Sequence, residues 1–386
     1  MKNLLKPLSL ALFVAATLLM QNACNRTSPS SNPPTQSAHT QTSPPSDTLP
    51  ATSPSPYFCK AIGGPYIEVG ASLIQTSDGG YAIAGFTSSP GVEEIDVYVV
   101  KLDAKGNLQW TKTIGGPWNE EGNSLIQTSD GGYAIAGRTE SFGAGDYDVY
   151  VVKLDAHGNL QWTKTIGGEK NDGGRSLIQT SDGGYAIAGY TTSFGAGDCD
   201  VYVLKLDANG KLQWTKTIGG PGYEIGYSLI QTSDGGYAIA GATKSFGAGG
   251  EDVYVVKLDA KGNLQWTKTI GGPELDLGHS LIQTSDGGYV ITGATTSFGV
   301  GEADVYFVKL DANGNLQRTK TIGAKNENPI RSSIIQTSDG SYVIAGTTRS
   351  FGSGGMDVYV VKLDKNGDAC CAVCAVRVQP QPLLRT

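Results

Sequence analysis

Residues 124–138 read SLIQTSDGGYAIAGR, and this stretch decides the fold because the chain writes it six times. Its first nine residues recur, with small changes, from Ser72, Ser124, Ser176, Ser228, Ser280 and Ser333. Gln75, Gln127, Gln179, Gln231 and Gln283 follow one another at 52 residues, and Gln336 comes after 53. A fixed period of this length marks stacked supersecondary units.

Each copy contains four short runs rich in Val, Ile, Tyr, Thr and Trp, the residues that suit a pleated, half-buried surface. In the second copy they are Ser124–Thr128, Tyr133–Arg138, Asp148–Leu154 and Leu160–Ile166, named strands A to D. Ser129-Asp130-Gly131-Gly132 turns A into B, and Asp155-Ala156-His157-Gly158-Asn159 turns C into D. Six units of four antiparallel strands are the proportions of an all-β, six-bladed β-propeller. A solenoid coil would need only about 20–30 residues, and a lone unit could not bury both its faces.

The phase of the repeat sets how the ring would close. Pro56–Ile62 with Gly63-Gly64 matches the D strand Leu108–Ile114 with Gly115-Gly116. The propeller, residues 56–367, therefore starts on a lone D strand and ends on the C strand Asp357–Leu363. Pairing these two ends closes the ring and removes two sheet edges that would otherwise recruit other chains. Trp110, Trp162, Trp214 and Trp266 recur in D and are expected to wedge between neighbouring blades. Arg318 replaces the tryptophan in the fifth copy and reads as a weaker joint.

Residues 1–23 have the layout of an export signal. Lys2 and Lys6 precede an apolar run, Leu8–Met20, too short to span a bilayer. Cys24 follows Ala23, and residues 24–55 form a Ser/Thr/Pro-rich tether that cannot offset its ordering entropy by burial. The layout resembles a bacterial lipoprotein signal, which implies lipidation of Cys24 and a membrane contact made only through that anchor. Plain secretion is the alternative. The formal charge is −7, and losing Lys2 and Lys6 with the signal makes it more negative still. Nucleic acid is thereby disfavoured as a partner, since its binding depends on neutralising phosphates.

Residues 56–364 resemble the repeat-built β-propellers exported by bacteria and archaea, on the phrases SLIQTSDGGYAIAG and DVYVVKLDAKGNLQWTKTIGG. The VYVVKLDAKGNLQW phrase is also similar to the tryptophan-docking motif of quinoprotein propellers. That similarity implies a mode of blade packing and no cofactor.

Catalysis needs a site built once, and six near-copies argue against one. His39, His157 and His279 have no nucleophile or carboxylate arranged around them, and no metal motif or cofactor signature is present. Asp96, Asp148, Asp200, Asp252, Asp304 and Asp357 open the C strands, and Glu68, Glu120, Asp172, Glu224 and Asp276 recur in the D–A loops. The aspartates read as turn caps, with Ca²⁺ held by a regular acid pair as the sharper alternative.

The A–B and C–D turns share one face of the ring and are nearly uniform. The B–C and D–A loops share the other face and carry the differences. The expected ligand contacts there are Tyr66, Glu68, Trp118, Glu120, Asp172, Tyr223, Glu224, Tyr227 and Asp276. Loops held on a rigid scaffold are where binding sites concentrate. The reading is a non-enzymatic, surface-anchored scaffold that binds a protein or a glycan through that face. A polysaccharide-acting or other hydrolytic enzyme, and a structural spacer, are the alternatives. In the non-repeat tail, 368–386, one of Cys370, Cys371 and Cys374 is expected to pair with Cys59, locking the ring where it closes.

Overall fold

The computed structural model describes residues 60–65, 67–88, 94–300, 302–323, 332–348 and 357–369. Among these there is no helix. There are five four-stranded antiparallel sheets and one of three strands, each in the order A-B-C-D or A-B-C. These sheets fit the six expected blades. Neighbouring blades stack in chain order, and the A strands of successive blades lie side by side, forming an inner row. The D strands form the outer edge.

The strands differ from the sequence reading at one end. Strand A of blade 2 is Glu120–Gln127 and begins four residues before Ser124. Its counterparts are Glu68–Gln75, Asp172–Gln179, Glu224–Gln231 and Asp276–Gln283. Residues assigned to D–A loops are therefore paired strand, because the blade-to-blade backbone continues the ladder. Asp172 N donates to Tyr147 O of the preceding blade at 2.7 Å, and Glu224 N to Cys199 O at 2.8 Å.

Most of the buried apolar surface lies between blades. Strands B and C alternate, so Ala82, Ala84, Val97 and Val99 of blade 1 meet Leu125, Tyr133, Ile135, Tyr150, Val152 and Leu154 of blade 2. The same set repeats at the next joints. Trp110, from the outer strand Leu108–Ile114, closes the set. Its ring stands edge-on to Tyr133 at 5.5 Å. It also rests on the C–D turn of blade 2, where a Cβ on Gly158 would lie 3.0 Å from the indole. Gly158 has a φ of 77°, so glycine is needed there both for its backbone and for the approach of Trp110.

The SLIQTSDGG phrase recurs because it forms an inter-blade latch. Leu125 N donates to Ser72 Oγ of the preceding blade at 3.1 Å. Ser77 N of that blade donates to Gln127 Oε1 at 2.7 Å. The aspartate of the phrase ties the blade's own strand C: buried Lys153 reaches Asp130 at 2.9 Å and Leu154 O at 2.9 Å.

The joint between blades 5 and 6 is refitted. Phe307, where other copies have valine, takes the place of the missing tryptophan. Its ring lies 5.6 Å from Tyr342, and Gly367 rests against it. Arg318 then extends to the blade 6 turn, donating to Asp368 at 2.9 and 3.1 Å and to Asn366 O at 3.0 Å. At the joint expected to be weaker, the aromatic thus stands in strand C instead of strand D, and an ion pair occupies the place of the tryptophan. Asp368 and Ala369 also keep the repeat's register, Ala369 bridging Leu363 as Leu316 pairs with Leu310. The repeat therefore runs past 367.

Candidate functional site

Strand A carries an irregularity that no other strand shares at this place. Its pairing with strand B shifts between Gly122 and Ser124, leaving Asn123 as the extra residue of a β-bulge. The bulge recurs at Ala71, Arg175, Tyr227 and His279. A bulge bends its strand and re-aims one side chain, and bulges collect beside active sites. Here the bulged position is the one at which near-identical copies carry Ala, Asn, Arg, Tyr and His. Five different side chains are thus presented along the inner row of strands by one backbone device. Asn123 Nδ2 donates to Gly174 O of the next inner strand at 3.0 Å. Tyr227 and His279 meet edge-to-face at 5.7 Å.

Around these positions the variable face is aromatic and cationic. The Arg138 guanidinium lies 4.4 Å from the centre of the Tyr147 ring and is held by Glu121 at 2.6 and 3.1 Å. It reaches Tyr190 Oη of the next blade at 3.4 Å. Arg175 stands over the same Tyr190 ring at 5.5 Å, and Lys244 over Tyr223 at 5.7 Å. Arg175 Nε is buried with no hydrogen-bond acceptor among the described residues. Burial pushes the Tyr147 phenol up to about 12, so it stays a neutral donor. The strip runs over blades 2 to 4 and offers ring faces, hydroxyls and the Arg175 guanidinium, while Arg138 and Lys244 are paired with Glu121 and Glu251.

The residues expected from sequence divide into groups. Trp118 is half exposed, its loop held by a bond from its N–H to Ser141 Oγ at 2.9 Å. Glu68 opens strand A of blade 1 and accepts from Gly64 N at 3.0 Å. Tyr223 and Tyr227 are half-buried neighbours in a small cluster with Tyr190, Cys199 and Ile225. Tyr66, Cys24, Cys59, Cys370, Cys371 and Cys374 lie outside the described residues.

Glu120, Asp172, Glu224 and Asp276 require correction as ligand contacts, since all four are wholly buried. Each turns back to hold the loop before it: Glu120 accepts from Gly116 N at 2.6 Å and from Thr139 Oγ1 at 2.7 Å. The C-strand aspartates do cap turns, Asp148 Oδ2 accepting from Ala144 N at 2.9 Å and Gly145 N at 3.2 Å. His279 lies in strand A and not in a loop. Cys199 is a packing residue, since burial beside Asp200 pushes its thiol up to about 12. Arg138, Arg175 and Tyr190 were not foreseen. The signal for Arg175 was present: the residue before each SLIQ serine differs in every copy.

Comparison with known proteins supports a repeat β-propeller. Residues 337–370 match a family model described as a domain of unknown function (DUF5122) beta-propeller. The regulatory protein FlaEY of Caulobacter vibrioides is 25% identical over 352 residues, covering 82% of this chain and 35% of that protein. This chain therefore spans about a third of that relative's length. Solved structures similar to this chain include a puromycin hydrolase S511A mutant complexed with PGG, at 14% identity and a TM-score of 0.49, covering 83% of this chain and 49% of that one. They also include the Pan2 WD40 domain of Neurospora crassa, at 11% identity and a TM-score of 0.46, covering 78% and 90%. The protein is a repeat-built, all-β propeller of six stacked blades.

Proposed function

We propose that the protein is a binding scaffold that takes a protein or glycan ligand on the face bearing the B–C and D–A loops, through the bulged inner positions and the aromatic–cationic strip. The observation that carries this is the bulge. Where the copies are otherwise nearly the same, it places Asn123, Arg175, Tyr227 and His279 at one register position of successive inner strands. Rigid strands under varied side chains favour recognition, while the nearly uniform opposite face suits packing. Half-buried rings beside fixed charges also suit the centre of an interface, where aromatic residues and arginine supply most of the binding energy. The related regulatory protein is compatible with a binding role. A glycan and surface-protein array probed with the purified protein tests the reading. Captured ligands should be lost by Arg175→Ala and Trp118→Ala at unchanged melting temperature. Ligands retained by both variants, or turnover of a captured polysaccharide, would count against it.

The finer architecture belongs to the same proposal. Pro56–Ile62 closes the ring beside Asp357–Leu363. Lys60 supports this by donating to Asn107 in the C–D turn of blade 1 at 2.8 Å. Its counterpart Lys112 likewise lies against Gly158 of the following turn. Deleting residues 50–62 should then expose an edge and cause aggregation; a soluble monomer with unchanged melting would overturn closure. A lipid on Cys24 would hold the domain at a bacterial membrane, and mass spectrometry of the mature N-terminus decides between that and secretion. Peptide mapping without reduction tests the bond from Cys59 to the tail cysteines.

A further inference from the structure

We propose that two of the blade joints each hold one divalent cation of the calcium class, between Asp148 and Asp172 and between Asp252 and Asp276. The argument begins with a length alternation. The acid that opens strand A is Glu120 at the first joint, Asp172 at the second, Glu224 at the third and Asp276 at the fourth. Both glutamates are fully bonded. Glu224 accepts from Gly220 N at 2.7 Å, from Thr243 Oγ1 at 2.7 Å and from Ser245 N at 3.0 Å. The aspartates are one methylene shorter. Asp172 Oδ2 accepts from Gly168 N and Ser193 Oγ, both at 2.7 Å. Asp276 Oδ2 accepts from Gly272 N and Ser297 Oγ, again at 2.7 Å. Their second oxygens, Asp172 Oδ1 and Asp276 Oδ1, are buried and accept nothing among the described residues.

Each of these joints holds a second orphan. Asp148 Oδ1 and Asp252 Oδ1 are equally buried and unpartnered, and these four residues are no more than 1% exposed. The two carboxylates of a joint converge. A Cβ on Gly167 would collide with Asp148 Oδ1 and Asp172 Oδ2, and one on Gly271 with Asp252 Oδ1 and Asp276 Oδ2, as one on Gly219 would with Asp200 Oδ1 and Glu224 Oε2; what sets the aspartate joints apart is the unpartnered second oxygen. No lysine, arginine or histidine among the described residues forms an ion pair with any of them. Two buried carboxylates with no cationic partner are strongly unfavourable. A divalent cation cancels their charge, and hard oxygen donors select calcium over softer metals. Two carboxylates supply only part of a shell of 6–8 oxygens, so backbone carbonyls and water complete it.

The chain supplies its own control. Asp172→Glu with Asp276→Glu rebuilds the bonded glutamate of the other joints, and this protein should fold without needing the cation. The test compares melting with CaCl₂ and with EDTA, alongside metal content by mass spectrometry after dialysis against Ca²⁺. The expected result is about two Ca²⁺ per chain and a melting temperature raised by Ca²⁺. Both effects should be absent in the double Asp→Glu variant and in Asp148→Asn with Asp252→Asn. No retained metal and no Ca²⁺ shift in the wild-type protein would overturn the proposal and leave a bridging water. The same null with Asp148→Asn raising the melting temperature would overturn it in favour of a shared proton.

Discussion

The ring of Phe307 stands 5.6 Å from that of Tyr342, doing in strand C what Trp266 does for Tyr289 from strand D at 5.7 Å. The two solutions are exclusive because both fill the space above the C–D turn of the following blade. Phe307→Ala should therefore cost about 3–5 kcal/mol. Arg318→Trp alone should also destabilise, since the indole would meet an occupied pocket and Asp368 would lose its partner. Phe307→Val combined with Arg318→Trp restores the arrangement of the other joints. A double-mutant cycle from urea melts should show the pair recovering most of the loss; additive losses would refute the exchange.

Gly158 supports a second prediction. Its φ of 77° and its contact with the Trp110 indole leave no room for a side chain. Gly158→Ala should cost about 1–3 kcal/mol, whereas Ala156→Gly in the same turn should cost much less. Equal effects in thermal melts would mean that the turn, and not the tryptophan, sets the requirement.

A third prediction concerns pH. For Asp130, Asp182 and Asp234, burial works to raise the carboxyl, but bonds from the neighbouring threonine, lysine and glycine outweigh it and hold each at about 2. Their folded values are depressed, so their contribution is complete above the ordinary carboxylate range, near about 4, and is lost as pH falls towards 2. Asp148, Asp200 and Asp252 shift the other way, raised by burial first. Their contribution is complete when protonated and is lost as pH rises. In the presence of EDTA the urea midpoint should thus rise as pH falls from 7 towards about 4 and drop steeply below that. A midpoint that is flat down to 4 would contradict the reading of the buried acids.

Much of the fold could be read from SLIQTSDGG and DAKGNLQW because each phrase is used by two blades at once. Ser72 meets Leu125, Ser77 meets Gln127 and Trp110 meets Gly158, all about one period apart. Repetition in the sequence is thus contact in space. The site was less legible, for two physical reasons. Polarity does not distinguish an exposed acid from one folded back onto its own loop, so Glu120, Asp172, Glu224 and Asp276 read as surface. A bulge leaves no residue signature beyond variability, so Arg175 looked like a loop residue. Strip residues such as Arg138 and Tyr190 became visible only when adjacent blades were set side by side.

The joints made with tryptophan are interchangeable parts, since blades 1 to 4 offer the same latch and the same indole to the same glycine cradle on blades 2 to 5. The Phe307–Tyr342 joint fits no other place. At the level of the gene, unequal recombination can add or delete internal copies without breaking a contact, while the last joint fixes which copy must end the array. Blade number is then a heritable variable of this scaffold, and with it the breadth of the ring on which the bulged side chains are displayed.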